Sequence, residues 1–238
     1  MSGHSKWSQI KHKKAKEDAK RGKAFTKLIK EITLCARSGG GDPNGNAKLR
    51  LLIDKAKEIN MPQDNIVRAI KRGTGELPGV NYEQFMYEGY GPYGIAVILD
   101  VLSDNKNKAI SEIRHLFAIK GGNLAEAGAV SWMFERLGAI NSPSSNIGED
   151  DLLEKLMDYD IKDIKQDSNG TTIYCDVKSL EAVKKAVELA GLKVESAEPE
   201  WVAKAPMTIP EEQAEKAYEF LSALEDQDDV QNVYTNLA

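Results

Sequence analysis

The chain has 238 residues, 41% of them apolar and 29% charged, with two cysteines, three histidines and a formal net charge of −5. This is more ordinary globular sequence than one domain usually holds, and its longest apolar run, Ile95 to Leu99, falls far short of the roughly 18 residues a membrane span needs. Cys35 and Cys175 stand apart with no CxxC spacing, which speaks against a disulfide framework and a zinc site and fits a reducing cytoplasm.

The small net charge hides a segregation. Residues 1–78 hold 18 Lys and Arg against 8 Asp and Glu, a net of +10, while residues 79–238 hold 14 against 29, a net of −15. A basic part joined to an acidic remainder points to a polyanion-binding part. The N-terminus has no apolar h-region and reads as neither a secretory signal nor an Arg-rich transit peptide.

Residues 1–21, MSGHSKWSQIKHKKAKEDAKR, have little apolar beyond Trp7 and Ile10. No core can form there, so the segment is expected to be a flexible basic arm that orders on nucleic acid, with Trp7 free to stack on a base. A helix follows from about Lys23 to Arg37, because Phe25, Leu28, Ile29 and Ile32 recur at i, i+3, i+4 and i+7. Lys20, Lys23, Lys27 and Lys30 recur on nearly the opposite side, which predicts an exposed stripe of ammonium groups. The Gly- and Asn-rich stretch 39–46 resembles a calcium loop only in Asp42, Asn44 and Asn46, and then loses the pattern. It reads as a turn ending in an N-cap at Asn46. A second helix runs to about Asn60. A third carries Ile66 and Ile70 inward and Arg68, Lys71 and Arg72 toward its end, with Gly73 as C-cap.

From residue 79 strands alternate with helices. Tyr87–Tyr90 and Ile95–Leu102 read as strands around Gly91-Pro92-Tyr93-Gly94, residues 107–119 as a helix, and Val130–Arg136 as a strand. Gly94–Val101 parallels Gly170–Val177, and each leads through a helix to a segment bearing a tryptophan, Trp132 or Trp201, which suggests two related units. Helix 149–158 and strand 161–167 complete the second as β-α-β-β-α-β. Helix 210–224 and strand 230–235 are available to complete the first. The fold class is therefore α+β: an N-terminal three-helix domain followed by two ferredoxin-like (α-β plait) domains. The expected division is arm 1–21, helical domain 22–78, a discontinuous middle domain of 79–137 plus 207–238, and an inserted domain, 138–206.

Catalytic patterns are missing from the sequence. There is no HExxH, GxSxG or Walker A motif, and Gly73-Thr-Gly75-Glu-Leu-Pro78 follows a helix rather than a strand. Asp100 and Asp104 lie at the end of an apolar strand, where capping is the simpler role. No catalytic residue, metal ligand, cofactor or small-molecule substrate is expected.

Several segments together carry a family resemblance: Gly3-His4-Ser5-Lys6-Trp7, Lys20-Arg21-Gly22-Lys23, Gly40-Gly41-Asp42-Pro43, Glu88-Gly89-Tyr90-Gly91-Pro92, Asp104-Asn105-Lys106-Asn107 and Gly121-Gly122-Asn123-Leu124. On these the chain resembles the YebC/PmpR family over nearly its whole length. Lys106 and Lys108 stand where the family often has Arg, which suits a point contact better than a bidentate one. The resemblance implies one helical and two ferredoxin-like domains. It also implies a DNA-binding transcriptional regulator or, alternatively, a ribosome-associated translation factor that relieves stalling at proline-rich sequences. The expected partner is nucleic acid, DNA or ribosomal RNA, with no membrane. The expected contacts are Lys6, Trp7, Lys11, His12, Lys13, Lys14, Lys20, Arg21, Lys23, Lys27, Lys30, Arg68, Lys71, Arg72, Lys106 and Lys108.

Overall fold

A computed structural model describes residues 18–143, 147–167 and 170–238. Three helices come first: α1 (Asp18–Gly39), α2 (Ala47–Glu58) and α3 (Gln63–Thr74). Each buries the stripe its sequence spacing marks. Ile32, Cys35 and Ala36 of α1, Leu49, Leu52, Ile53 and Ala56 of α2, and Ile66 and Ala69 of α3 are all buried. Asn46 caps α2, its Oδ1 accepting the Leu49 amide at 3.1 Å. Among the described residues α1 runs from Asp18, so Lys20 and Arg21 lie in a helix rather than in an arm. Gly73 lies inside α3 and is not its cap. A Cβ there would stand 2.4 Å from the Thr33 carbonyl oxygen, so glycine sets how closely α3 approaches α1. The left-handed cap is Gly75, at φ 85°.

The first sheet comprises β1 (Glu83–Tyr90), β2 (Ala96–Ser103), β3 (Asn123–Ala125) and β8 (Val230–Thr235), in the order β3-β1-β2-β8 and antiparallel throughout. Helices α4 (Lys106–Ile119) and α7 (Glu211–Glu225) cover one face. Val97, Leu99 and Val101 pack there against Ile113, Phe117, Phe220 and Leu221. Between β3 and α7 the chain builds the second sheet from β4 (Phe134–Pro143), β5 (Ile161–Asp167), β6 (Gly170–Cys175) and β7 (Ser196–Ala203), in the order β5-β6-β4-β7. It is also antiparallel, with α5 (Glu149–Lys155) and α6 (Leu180–Leu189) supplying its helical layer. Both units are thus ferredoxin-like. The second follows the direct β-α-β-β-α-β route, while the first reaches the same layering by taking its last helix and strand from the end of the chain.

One expectation from the sequence changes here. The span 130–136 is not a strand of the first sheet. Ser131–Met133 form a 3-10 turn, and β4 pairs with β6 and β7, so the chain has crossed to the second sheet by Phe134. The third strand of the first sheet is instead the three-residue β3, too short to show any alternation. Strand β2 is buried on both faces because Ala96 and Ile98 pack with Val130 and with Phe134, Trp201 and Ala203 of the second unit. A strand so covered reads as one continuous apolar run.

Candidate nucleic-acid interface

Three lysines of the α1 stripe, Lys23, Lys27 and Lys30, are not free. Lys23 Nζ donates to the Asp226 carbonyl at 2.9 Å, Lys27 Nζ to the Glu225 carbonyl at 2.7 Å, and Lys30 Nζ to the Asp228 carbonyl at 2.9 Å. Lys30, only 7% exposed, also forms an ion pair with Asp229. These acceptors lie at the C-terminal end of α7 and just beyond it. A helix leaves its last carbonyls unpaired there, and its dipole favours cations. The expectation of a solvent-facing comb opposite the apolar stripe is therefore corrected. The comb faces away from its own bundle's core but into the neighbouring domain, a contact made across about 200 residues of sequence. Asp229 carries it further: its second carboxylate oxygen accepts the Ser103 hydroxyl at 2.9 Å, and its carbonyl accepts the Leu102 amide at 2.7 Å.

Other cations remain exposed. Arg68, Lys71 and Arg72 lie on the last two turns of α3, where positive charge again complements the helix dipole. Arg37, which the sequence did not single out, is exposed at the end of α1 and donates to the Val80 carbonyl at 3.3 Å. Lys106 and Lys108 open α4. Lys106 Nζ stands 5.2 Å from the Phe85 ring centre, and Lys108 reaches Glu112 at 3.8 Å. Asn105 occupies the Lys108 amide at 3.0 Å, so the lysine side chains, more than the helix terminus, are left for an anion. Tyr82 stands between the end of α3 and the start of α4. Burial pushes its phenol up, Asp104 adds to that, and Arg72 opposes it. Lys20 and Arg21 fall in the first turns of α1, and Lys6, Trp7, Lys11, His12, Lys13 and Lys14 lie outside the described residues. Sequence gave no signal for Tyr82 or Asp229, because each acquires its role from contacts distant in the chain.

The glycine-rich Glu88–Gly94 segment is a packing device. A Cβ at Gly89 would meet Phe117 at 2.5 Å, and one at Gly91 would meet Phe220 at 2.5 Å. Those two rings pack edge to face at 5.0 Å. Glu88, buried, accepts the amides of Gly128, Val130 and Ser131, each at 2.8 Å. Asp100 is buried within β2 and accepts the Tyr234 hydroxyl at 3.2 Å. Among the described residues no group of three or more His, Cys, Asp or Glu is arranged to hold a metal, and no helix is long and apolar enough to cross a membrane.

Comparison with known proteins now places this arrangement. Residues 5–76 match the TACO1/YebC protein N-terminal domain, and residues 82–237 match the TACO1/YebC second and third domain. The chain belongs to the TACO1/YebC family. A probable transcriptional regulatory protein of Chlorobaculum tepidum is 52% identical over 238 residues, covering 100% of this chain and 95% of the relative. One of Halothermothrix orenii is also 52% identical, covering 99% and 94%. The crystal structure of a conserved hypothetical protein from Aquifex aeolicus superposes with a TM-score of 0.84 at 44% identity, covering 94% of this chain and 93% of that one. The names of these TACO1/YebC relatives support a regulatory role. The boundary between the two family matches falls in the linker at 77–81, just before Tyr82.

Proposed function

We propose that this protein is a non-enzymatic, cytoplasmic regulator of gene expression that binds nucleic acid, in the first reading as a DNA-binding transcriptional regulator. The observation that carries this is the exposed set Arg68, Lys71 and Arg72 with Lys106 and Lys108 on either side of Tyr82, in a chain whose remainder is acidic. Such groups neutralise phosphates and release condensed counterions, so affinity falls steeply with salt. The test is fluorescence anisotropy of the full chain on labelled nucleic acid over a salt series. Reversing Lys71 and Arg72 to Glu is expected to flatten the log–log slope by about 1.4–1.8, two contacts' worth. An unchanged slope and affinity would remove these residues from the interface.

One feature favours the second reading, a ribosome-associated factor that binds ribosomal RNA and relieves stalling at proline-rich sequences. The exposed cations come from two elements flanking an aromatic ring, rather than from one protruding helix suited to a major groove. Ribosome co-sedimentation with crosslink sequencing separates the two readings. Crosslinks confined to ribosomal RNA would defeat the transcriptional one.

A further inference from the structure

Between α1, α3 and the linker that follows α3 lies a cleft of about 240 Å³, lined by Thr33, Arg72, Pro78, Gly79, Val80 and Tyr82. We propose that this cleft seats a single unstacked nucleotide of a single-stranded nucleic acid, its phosphate on Arg72 and its base against the Tyr82 ring. The proposal rests on the nucleic-acid reading above and adds to it the form of strand that is bound.

Size sets the first limit. Pockets that enclose drug-sized ligands run to roughly 300–1,000 Å³, so this one admits a fragment on the scale of one base, and a base still stacked in a duplex has no way in. The cation is in place and unspent. The stem of Arg72 lies along Gly79, where an added Cβ would stand 3.2 Å from its Cβ and Cγ, and its guanidinium is exposed with no hydrogen bond or ion pair among the described residues. Tyr82 is half-buried, with Lys30 Nζ, itself paired with Asp229, over its ring at 6.0 Å from the centre. The linker wall is also pinned: Arg37 holds the Val80 carbonyl, and the Leu77 amide donates to the Lys71 carbonyl at 3.1 Å.

The chemistry of the walls points to stacking without edge reading. The single Thr33 hydroxyl proton is already engaged by the Ile29 and Ala69 carbonyls, at 2.7 and 3.3 Å, and is not left for a base. Pro78 has no amide hydrogen to offer. Among the described residues Arg72 is the one charged residue lining the cleft, so a phosphate finds its partner there. An aromatic face beside a cation, with few groups to question a base edge, binds single strands with little sequence preference.

The full-length chain is titrated with a labelled single strand and with a duplex of the same composition at one salt concentration. Tyr82→Ala should weaken single-strand binding by about 10-fold to 100-fold, the range base–aromatic stacking commands, and leave duplex affinity and the salt slope unchanged. Tyr82→Phe should keep single-strand affinity, because the ring face remains. Because Tyr82→Ala removes a half-buried ring, the wild-type chain is also photocrosslinked to an iodouridine-substituted single strand. Crosslinks are expected on Tyr82 or its cleft neighbours. Crosslinks elsewhere, or equal losses on single strand and duplex, would overturn the cleft while leaving a salt-dependent nucleic-acid binder. Failure to bind either nucleic acid would overturn both readings.

Discussion

Glu88 and Asp100 are both buried, both acidic, and placed on neighbouring strands with their side chains on the same face of the first sheet, yet their surroundings treat them oppositely. Burial alone would raise Glu88, but three backbone amides and the Ser131 hydroxyl outweigh it, and its carboxyl sits below the ordinary value. A carboxyl depressed in the folded state adds stability that is full above its unfolded pKa and disappears as pH falls through the folded one. Glu88→Gln should therefore lower stability at neutral pH by about 1–3 kcal/mol. It should also flatten the loss of stability in acid, as urea unfolding at neutral and acid pH would read. A variant that loses stability equally at every pH would show that the charge contributes nothing. For Asp100, burial dominates and raises the carboxyl despite Arg136, Tyr234 and Asn232. The sign reverses: the folded state resists ionisation, so stability falls as pH rises above the unfolded carboxylate value. Asp100→Asn should be no less stable than the parent at neutral pH, and the gap in its favour should close in acid. A midpoint that drops at neutral pH would mean the Tyr234–Asp100 bond outweighs the burial.

At the scale of elements, α1 shows how an amphipathic pattern is completed by a partner that is not its own bundle. Its apolar stripe meets α2 and α3, and its lysine stripe meets the end of α7. Periodicity separated the two faces correctly and said nothing about what the second one touches, since a one-signed face is equally suited to phosphate or to helix carbonyls. The Lys30 and Asp229 side chains are 9% and 16% exposed, and truncating one member of so buried a pair costs about 3–5 kcal/mol. Lys30→Ala should shift the urea midpoint accordingly, and charge reversal at Lys27 should disturb folding too. The exchanged pair, Lys30→Asp with Asp229→Lys, should recover only part of the loss, because the Asp228 carbonyl still lacks its donor and Ser103 its acceptor. An unmoved midpoint in Lys30→Ala would reduce the comb to a surface contact.

For the whole molecule, the decisive pairing is β8 with β2. It brings residues 230–235 beside residues 97–101 and closes the first sheet after an excursion of more than 100 residues. Deleting residues 207–238 should strip Phe220, Leu221, Leu224, Val230 and Val233 from that core and unfold it. A fragment of residues 134–206 carries a complete second sheet and its two helices, and should fold alone. Circular dichroism and urea unfolding of the truncated chain and of the fragment would check this. A cooperative transition from the first sheet in the truncated chain would refute the discontinuous division.

By itself the sequence determined what is local. The apolar periodicities of the helices among the described residues, the Asn46 cap, the Gly91–Gly94 turn and the segregation of charge follow from side-chain spacing and backbone preference over a few residues. It also carried the family motifs and, with them, the ferredoxin-like layering. Only the tertiary structure decided which cations are spent and which are free, that Gly73 is a point of closest approach rather than a cap, and that residues 134–137 belong to the second sheet. The reason is common to all three. Each depends on a partner far away in the chain, and the free energy of a lysine, a glycine or a strand residue at such a contact is set by the geometry of that partner, which no local pattern encodes.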